Sequence, residues 1–229
     1  MWIWAVSLAV TLVAALESWP HWPWAPFLFL HAALGVTIPL LVRCYQWENL
    51  HDAWRKHAHP IQLGILEGIG YVAVVGCATT IWLVSAGRLD DPGWNILAGY
   101  RHVYRSIAIT VGEPVTVTLV FFFVALWAGV GEELFYRGFV YGKLRPLYGV
   151  VCANLISSAL FGLRHAAQLL YWGSPYPVVS GLFYFSFSAV AGSWLASFYE
   201  RTSSLWPPII VHTSVNLIGF PVLMSILQG

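Results

Sequence analysis

Charge is what this chain lacks. Only 9% of its 229 residues are Asp, Glu, Lys or Arg, against about 25% in an ordinary soluble domain. With 59% hydrophobic residues and a mean hydropathy of +0.70, that shortage excludes a water-soluble globule and points to an integral membrane protein. There are two lysines and the net charge is +1, so the chain has no basic surface for nucleic acid. Cysteine is scarce as well: Cys44, Cys77 and Cys152 lie in or beside apolar runs and form no Cys-x-x-Cys. An odd, scattered set excludes a disulfide framework and a zinc knuckle, and each thiol reads as a small buried hydrophobe. Neither Gly-x-Ser-x-Gly nor His-Glu-x-x-His occurs, so no serine nucleophile and no helical zinc-protease pattern is marked.

Long apolar runs are what the chain has. Seven are long enough to suggest membrane helices: Met1–Leu16, Trp24–Val42, Gly68–Gly87, Pro114–Gly131, Leu147–Leu163, Val178–Tyr199, and one from Pro207-Pro208 to the end. Sixteen residues rise about 24 Å, short of a hydrocarbon core of about 30 Å. Met1–Leu16 still reads as a retained helix, because it lacks a basic leader and a cleavage site. Tryptophans at 2, 4, 19, 22, 24 and 47 fit the headgroup level. Arg43–Pro60, with His51, His57 and His59, reads as a wet interfacial loop rather than a metal site. Gly64-x-x-x-Gly68 permits close helix approach, but the spacing is common by chance. Asp90-Asp91-Pro92-Gly93 and Gly173-Ser174-Pro175-Tyr176-Pro177 are turn signals. Ile96–Thr110 suits an interfacial helix with Arg101 and Arg105 on one side, and Glu113-Pro114 a helix start.

The expected fold is therefore all-α: a polytopic transmembrane bundle of about seven helices (six to eight). No repeat appears, so residues 1–229 form a single integral membrane domain. Residues 1–110 are amino-terminal helices without a motif. Lys and Arg total seven in the second, fourth and sixth loops and four in the first, third and fifth. The positive-inside rule then puts the amino terminus and the Glu132 end in the cytoplasm, with the cell (inner) membrane as the expected location.

Three apolar segments carry polar residues one helical turn apart. Pro114–Gly131 runs into Glu132, Glu133 and Arg137; a second segment holds Phe161 and His165, and a third His212 and Asn216. A charge at a bilayer centre costs from about 2.5 to more than 10 kcal/mol, so such groups must pair, face water or do chemistry. Glu133 and Arg137 share a helix face and can pair. Glu132 points about 100° away and needs another partner. A single ion pair or intramembrane histidine is more often interhelical glue, and Phe161 alone is a packing residue. Three such segments together point to a site.

The inventory suits hydrolysis of an amide. A carboxylate near an imidazole can take a proton from water and pass it to the leaving amine. A carboxamide and an imidazole N–H can donate to the oxyanion that develops.

Glu132-Glu133-x-x-x-Arg137, Phe161-x-x-x-His165 and His212-x-x-x-Asn216, in that order, resemble the three motifs of the CPBP family. That family includes type II CAAX-prenyl endopeptidases and bacteriocin-processing and immunity-type membrane proteins. The resemblance covers 114–229, a CPBP-like catalytic core, and implies a glutamic-type intramembrane endopeptidase without a metal or other cofactor. Carried over, Glu132 and His165 would activate water, and His212 and Asn216 would stabilise the oxyanion. Glu133, Arg137 and Phe161 would support the site or orient substrate. Which glutamate is the base stays open, with helix geometry favouring Glu132. The expected partners are the lipid bilayer and a membrane-associated protein or peptide substrate, prenylated or not. Three alternatives compete: a non-catalytic binding or immunity-type protein on the same scaffold, a zinc metalloprotease, and a transporter. Against the last, the halves show no internal symmetry.

Overall fold

The computed structural model describes residues 49–167 and 177–229. The expected helices Met1–Leu16 and Trp24–Val42, the early tryptophans, Cys44 and the break at Gly173–Tyr176 lie outside the described residues. So does part of the basis for a count of seven. Among the described residues every element is helical: α1 Leu50–Ser85, α2 Ile96–Val111, α3 Glu113–Val120, a π-helical stretch π1 Phe121–Trp127, α4 Ala128–Glu132, a second π-helical stretch π2 Glu133–Tyr141, α5 Gly142–Ala167, α6 Pro177–Thr202 and α7 Trp206–Gln228. Four helical runs are long and apolar enough to cross a membrane: Leu50–Ser85, Glu113–Ala166, Val179–Thr202 and Trp206–Gln228.

Three boundaries differ from the sequence expectation. The third span begins at Leu50 rather than Gly68, because Asn49 accepts the His51 N–H at 2.9 Å and caps a 36-residue helix. Much of the expected interfacial loop, including His51, His57 and His59, is thus the first turns of α1. The run from Glu113 to Ala166 has 54 residues, and its most apolar 18-residue window has a mean hydropathy of 2.0. Straight, it would measure about 81 Å, far more than a bilayer core. It folds back instead at Gly149, whose φ of 76° and ψ of 172° are non-helical, a conformation open almost only to glycine. The break therefore falls at Gly149 and not at Arg145-Pro146. Two antiparallel arms result, and Glu132 lies about midway along the first rather than at its end.

That first arm is the centre of the bundle. All nine residues of π2 are buried, the mark of a helix surrounded by others. Leu134, Phe135, Tyr136, Phe139 and Val140 pack with Ala153 and Phe161 of α5, Ala196 of α6 and Ile209 of α7. A second cluster joins α1 to α6 and α7 through Ile61, Leu195, Phe198 and Val211. Gly64 and Gly68 make this contact: a Cβ at Gly64 would stand 2.5 Å from the Phe198 ring, and one at Gly68 2.6 Å from Val215 Cγ2. The small-residue pair given little weight in the sequence is where α1 docks. Arg101 Nε and Arg105 Nη2 of α2 donate to the carbonyls of Ile226 and Gly229 at the end of α7.

Candidate active site

The two π-helical stretches flank α4, the short turn that ends in Glu132. A π turn displaces carbonyls from the ordinary helical ladder, and such turns recur at functional sites. Here two of those carbonyls accept from other helices. Asn216 Nδ2 of α7 donates to the Val124 carbonyl at 3.1 Å, and Ser157 Oγ of α5 donates to the Tyr136 carbonyl at 2.8 Å. The central arm is thereby fixed to its neighbours on both sides of the glutamates.

Glu132 is 2% exposed, Glu133 0%, Arg137 1% and Arg164 1%. Four charges so deep are tolerable only as closely matched pairs. Arg137 Nη1 lies 2.9 Å from Glu133 Oε1, the pairing expected from the four-residue spacing. Its Nη2 donates to the Gly192 carbonyl at 2.8 Å, and the guanidinium stands 4.6 Å from the centre of the Phe161 ring. Glu133 Oε1 also accepts from His212 Nδ1 at 2.8 Å. Since an ionised carboxylate only accepts, Nδ1 carries the proton, and Nε2 is the ring nitrogen left for other work.

Glu132 finds a different partner from the one sought in the sequence. Arg164 Nη1 lies 2.5 Å from its Oε1, while His165 Nε2 is 3.8 Å from its Oε2. His165 Nδ1 donates to the Phe161 carbonyl at 2.8 Å, which leaves Nε2 as the accepting nitrogen, with Arg164 Nη1 at 3.3 Å and Glu132 Oε2 at 3.8 Å from it. The 3.8 Å gap is too long for a direct hydrogen bond and suits one bridging water. Phe161 is more than packing. Its ring also meets Tyr136 edge-on, with His165 and His212 at 4.4 and 6.3 Å between centroids.

A cavity of about 190 Å³ joins the three motifs; Glu132, Phe161, Arg164, His165, His212 and Asn216 all line it. Tyr71 of α1, Tyr100 of α2 and Tyr184 of α6 complete its wall. The Tyr100 and Tyr184 hydroxyls are 2.8 Å apart, and Tyr184 meets His165 edge-on. Burial pushes the Tyr100 hydroxyl up to about 12. The structure thus brings Glu132, His165, His212 and Asn216 to one cavity and sets Glu133 and Arg137 behind it. Sequence reasoning missed Arg164, Tyr100 and Tyr184. A lone arginine ending an apolar run was the available signal for Arg164; the tyrosines carried none.

Residues 114–218 match the family model described as Type II CAAX prenyl endopeptidase Rce1-like. The matched segment begins at α3 and ends just beyond Asn216, so it contains all three motifs, while α1 and α2 lie outside it. The chain is also 31% identical over 107 residues to human "CAAX prenyl protease 2", a match covering 44% of this chain. It spans about a third, 32%, of that relative's length. No solved structure matches the chain.

Proposed function

We propose that the protein is an intramembrane endopeptidase that hydrolyses a peptide bond of a membrane-associated protein or peptide with a water activated by Glu132 and His165. The observation that carries this reading is the 3.8 Å gap between Glu132 Oε2 and His165 Nε2 on the wall of a cavity shared with His212 and Asn216. A water there gives one proton to Glu132 as its oxygen attacks the scissile carbonyl. Negative charge then develops on the carbonyl oxygen. Asn216 has a second amide N–H to offer it, the first being held by Val124, and His212 offers Nε2 in its doubly protonated form. As the C–N bond breaks, the proton held by Glu132 passes to the leaving nitrogen, giving a carboxylic acid and an amine and leaving Glu132 ionised again.

Glu133 and Arg137 orient His212 and the Phe161 ring in this scheme and do not meet the reacting atoms. Water activation by these groups uses protein atoms alone, without a cofactor. The match to a CAAX prenyl protease makes a membrane-tethered peptide with a prenylated cysteine near its carboxy terminus the first substrate to try. Host membranes carrying wild type or Glu132→Gln provide the wider test by quantitative proteomics of new peptide termini. A precursor cut by wild type and left whole by the variant, with the variant folded in detergent, is the expected result. Equal cleavage by both removes Glu132 from its role as base.

A further inference from the structure

Arg164 occupies an unspecified position of Phe161-x-x-x-His165, so the motif assigns it no task. Yet its guanidinium reaches both members of the water-activating pair. Nη1 lies 2.5 Å from Glu132 Oε1 and 3.3 Å from His165 Nε2. The other buried arginine is committed elsewhere, to Glu133, the Gly192 carbonyl and the Phe161 ring. The two oxygens of Glu132 are therefore differently placed: Oε1 is on the guanidinium and Oε2 faces the imidazole across the width of a water. A carboxylate held by one oxygen has its plane and its second oxygen aimed. The His165 ring is aimed too, by its Nδ1 bond to the Phe161 carbonyl. Nη1 stands at the point where the two meet.

We propose that Arg164 is a positioning residue for the hydrolysis: it pins Glu132 through Oε1 so that Oε2 is presented to His165, and its permanent charge keeps the carboxylate ionised and ready to accept the proton of water. The inference rests on the glutamate-and-histidine reading above. Arginine suits the task because its charge is never lost and its planar fork has several donors in fixed directions. Lysine would bring the charge without the fork. A neutral residue would take the guanidinium away from Glu132 Oε1; a buried carboxylate that loses a paired charge tends to neutralise by taking a proton, and then has no capacity to accept one from water.

The test uses the full chain in lipid vesicles, with a quenched fluorescent peptide bearing a prenylated cysteine near its carboxy terminus. Wild type is compared with Glu132→Gln, Arg164→Lys and Arg164→Gln. Arg164→Gln is expected to lower kcat by about 100-fold or more with KM little changed. Arg164→Lys is expected to stay within about tenfold of wild type, since it restores the charge alone. Infrared difference spectra supply a readout that does not depend on turnover. Arg164→Gln should show a new carbonyl stretch from a protonated carboxyl group, absent from the Glu132→Gln, Arg164→Gln double variant.

Near-normal kcat in Arg164→Gln, or a loss of kcat without that band, overturns the proposal. Should Arg164→Gln fail to fold, a kcat in Arg164→Lys no better than that of Glu132→Gln overturns it equally, and partial activity supports it. If wild type and Glu132→Gln are alike inactive on every substrate tried, the hydrolytic reading itself fails, and this role with it. The infrared band then still reports whether Arg164 holds the charge of Glu132.

Discussion

Two adjacent glutamates take two arginines, and the geometry of the pairs separates their work. Glu133 is enclosed by Arg137 and His212 through the same oxygen, Oε1, and it does not line the cavity. Removing Arg137 would strand that carboxylate, a change that typically costs about 3–5 kcal/mol, so Arg137 belongs to the scaffold. Glu132 and Arg164 both line the cavity, where a substrate can meet them. Asn216 divides its amide between scaffold and site, with one N–H on the Val124 carbonyl. If the other N–H meets the oxyanion, Asn216→Ala should lower kcat by about 10²- to 10³-fold, the usual cost of losing one such donor, while KM moves little. Steady-state kinetics on the peptide substrate measure this directly, and an unchanged kcat takes Asn216 out of the oxyanion role. The Glu133–Arg137 pair was legible in the sequence because its partners are four residues apart on one helix. The Glu132–Arg164 pair was not, because 32 positions separate the two residues and only the turn at Gly149 brings them together.

At the scale of elements, the site depends on how closely α4 and α7 cross. A Cβ at Gly129 would lie 2.3 Å from Thr213 Oγ1 and 2.8 Å from the Thr213 backbone nitrogen. Backbone cannot give way as a flexible side chain does, so Gly129→Ala must push α7 off α4. Thr213 follows His212, and Gly129 is one turn before Glu132. The displacement therefore opens the distance between the carboxylate and the His212–Asn216 pair. A misplacement of about 1 Å at such a site can cost roughly 100-fold. Gly129→Ala is expected to lose activity on that scale while keeping its helical circular dichroism in detergent. Activity close to wild type would show that the crossing has slack. The elements themselves were largely readable from apolar run length, as with Ile96–Val111, Glu113-Pro114 and the last helix. The π-helical stretches were not, since a π turn leaves no periodicity distinct from that of an apolar α-helix. Nor was the weight of Gly64 and Gly68, because small residues at that spacing matter only when another helix lies against them.

For the whole molecule, polar contacts gather at two ends of the bundle. Arg145 of α5 grips both carboxylate oxygens of Glu200 at the end of α6, with Tyr141 on the same group. At the other end, Arg101 and Arg105 hold the last carbonyls of α7. The sequence expectation from the positive-inside rule, that the Arg145–Glu200 end faces the cytoplasm, has a direct test. A single cysteine introduced beside Arg145, in a background without the native cysteines, should react with an impermeant maleimide only from the cytoplasmic face of sealed vesicles. Reaction from the opposite face would reverse the orientation. Among the described residues, four runs able to cross a membrane follow from local composition, because leaving so much apolar surface in water is too costly.

The sequence by itself determined the class of molecule, most of the described helices, the three motif segments and the Glu133–Arg137 ion pair one turn apart on the central arm. These are legible because hydropathy and helical spacing act over a few residues. Tertiary structure alone decided that Glu132 pairs with Arg164 and faces His165 across 3.8 Å, that His212 turns to Glu133, and that Tyr71 and Tyr100, from outside the segment that matches the family model, wall the cavity. Those relations span helices far apart along the chain. They depend on the non-helical glycines Gly112 and Gly149 and on close crossings at other glycines, and no local pattern encodes which distant side chain will occupy the space a glycine leaves.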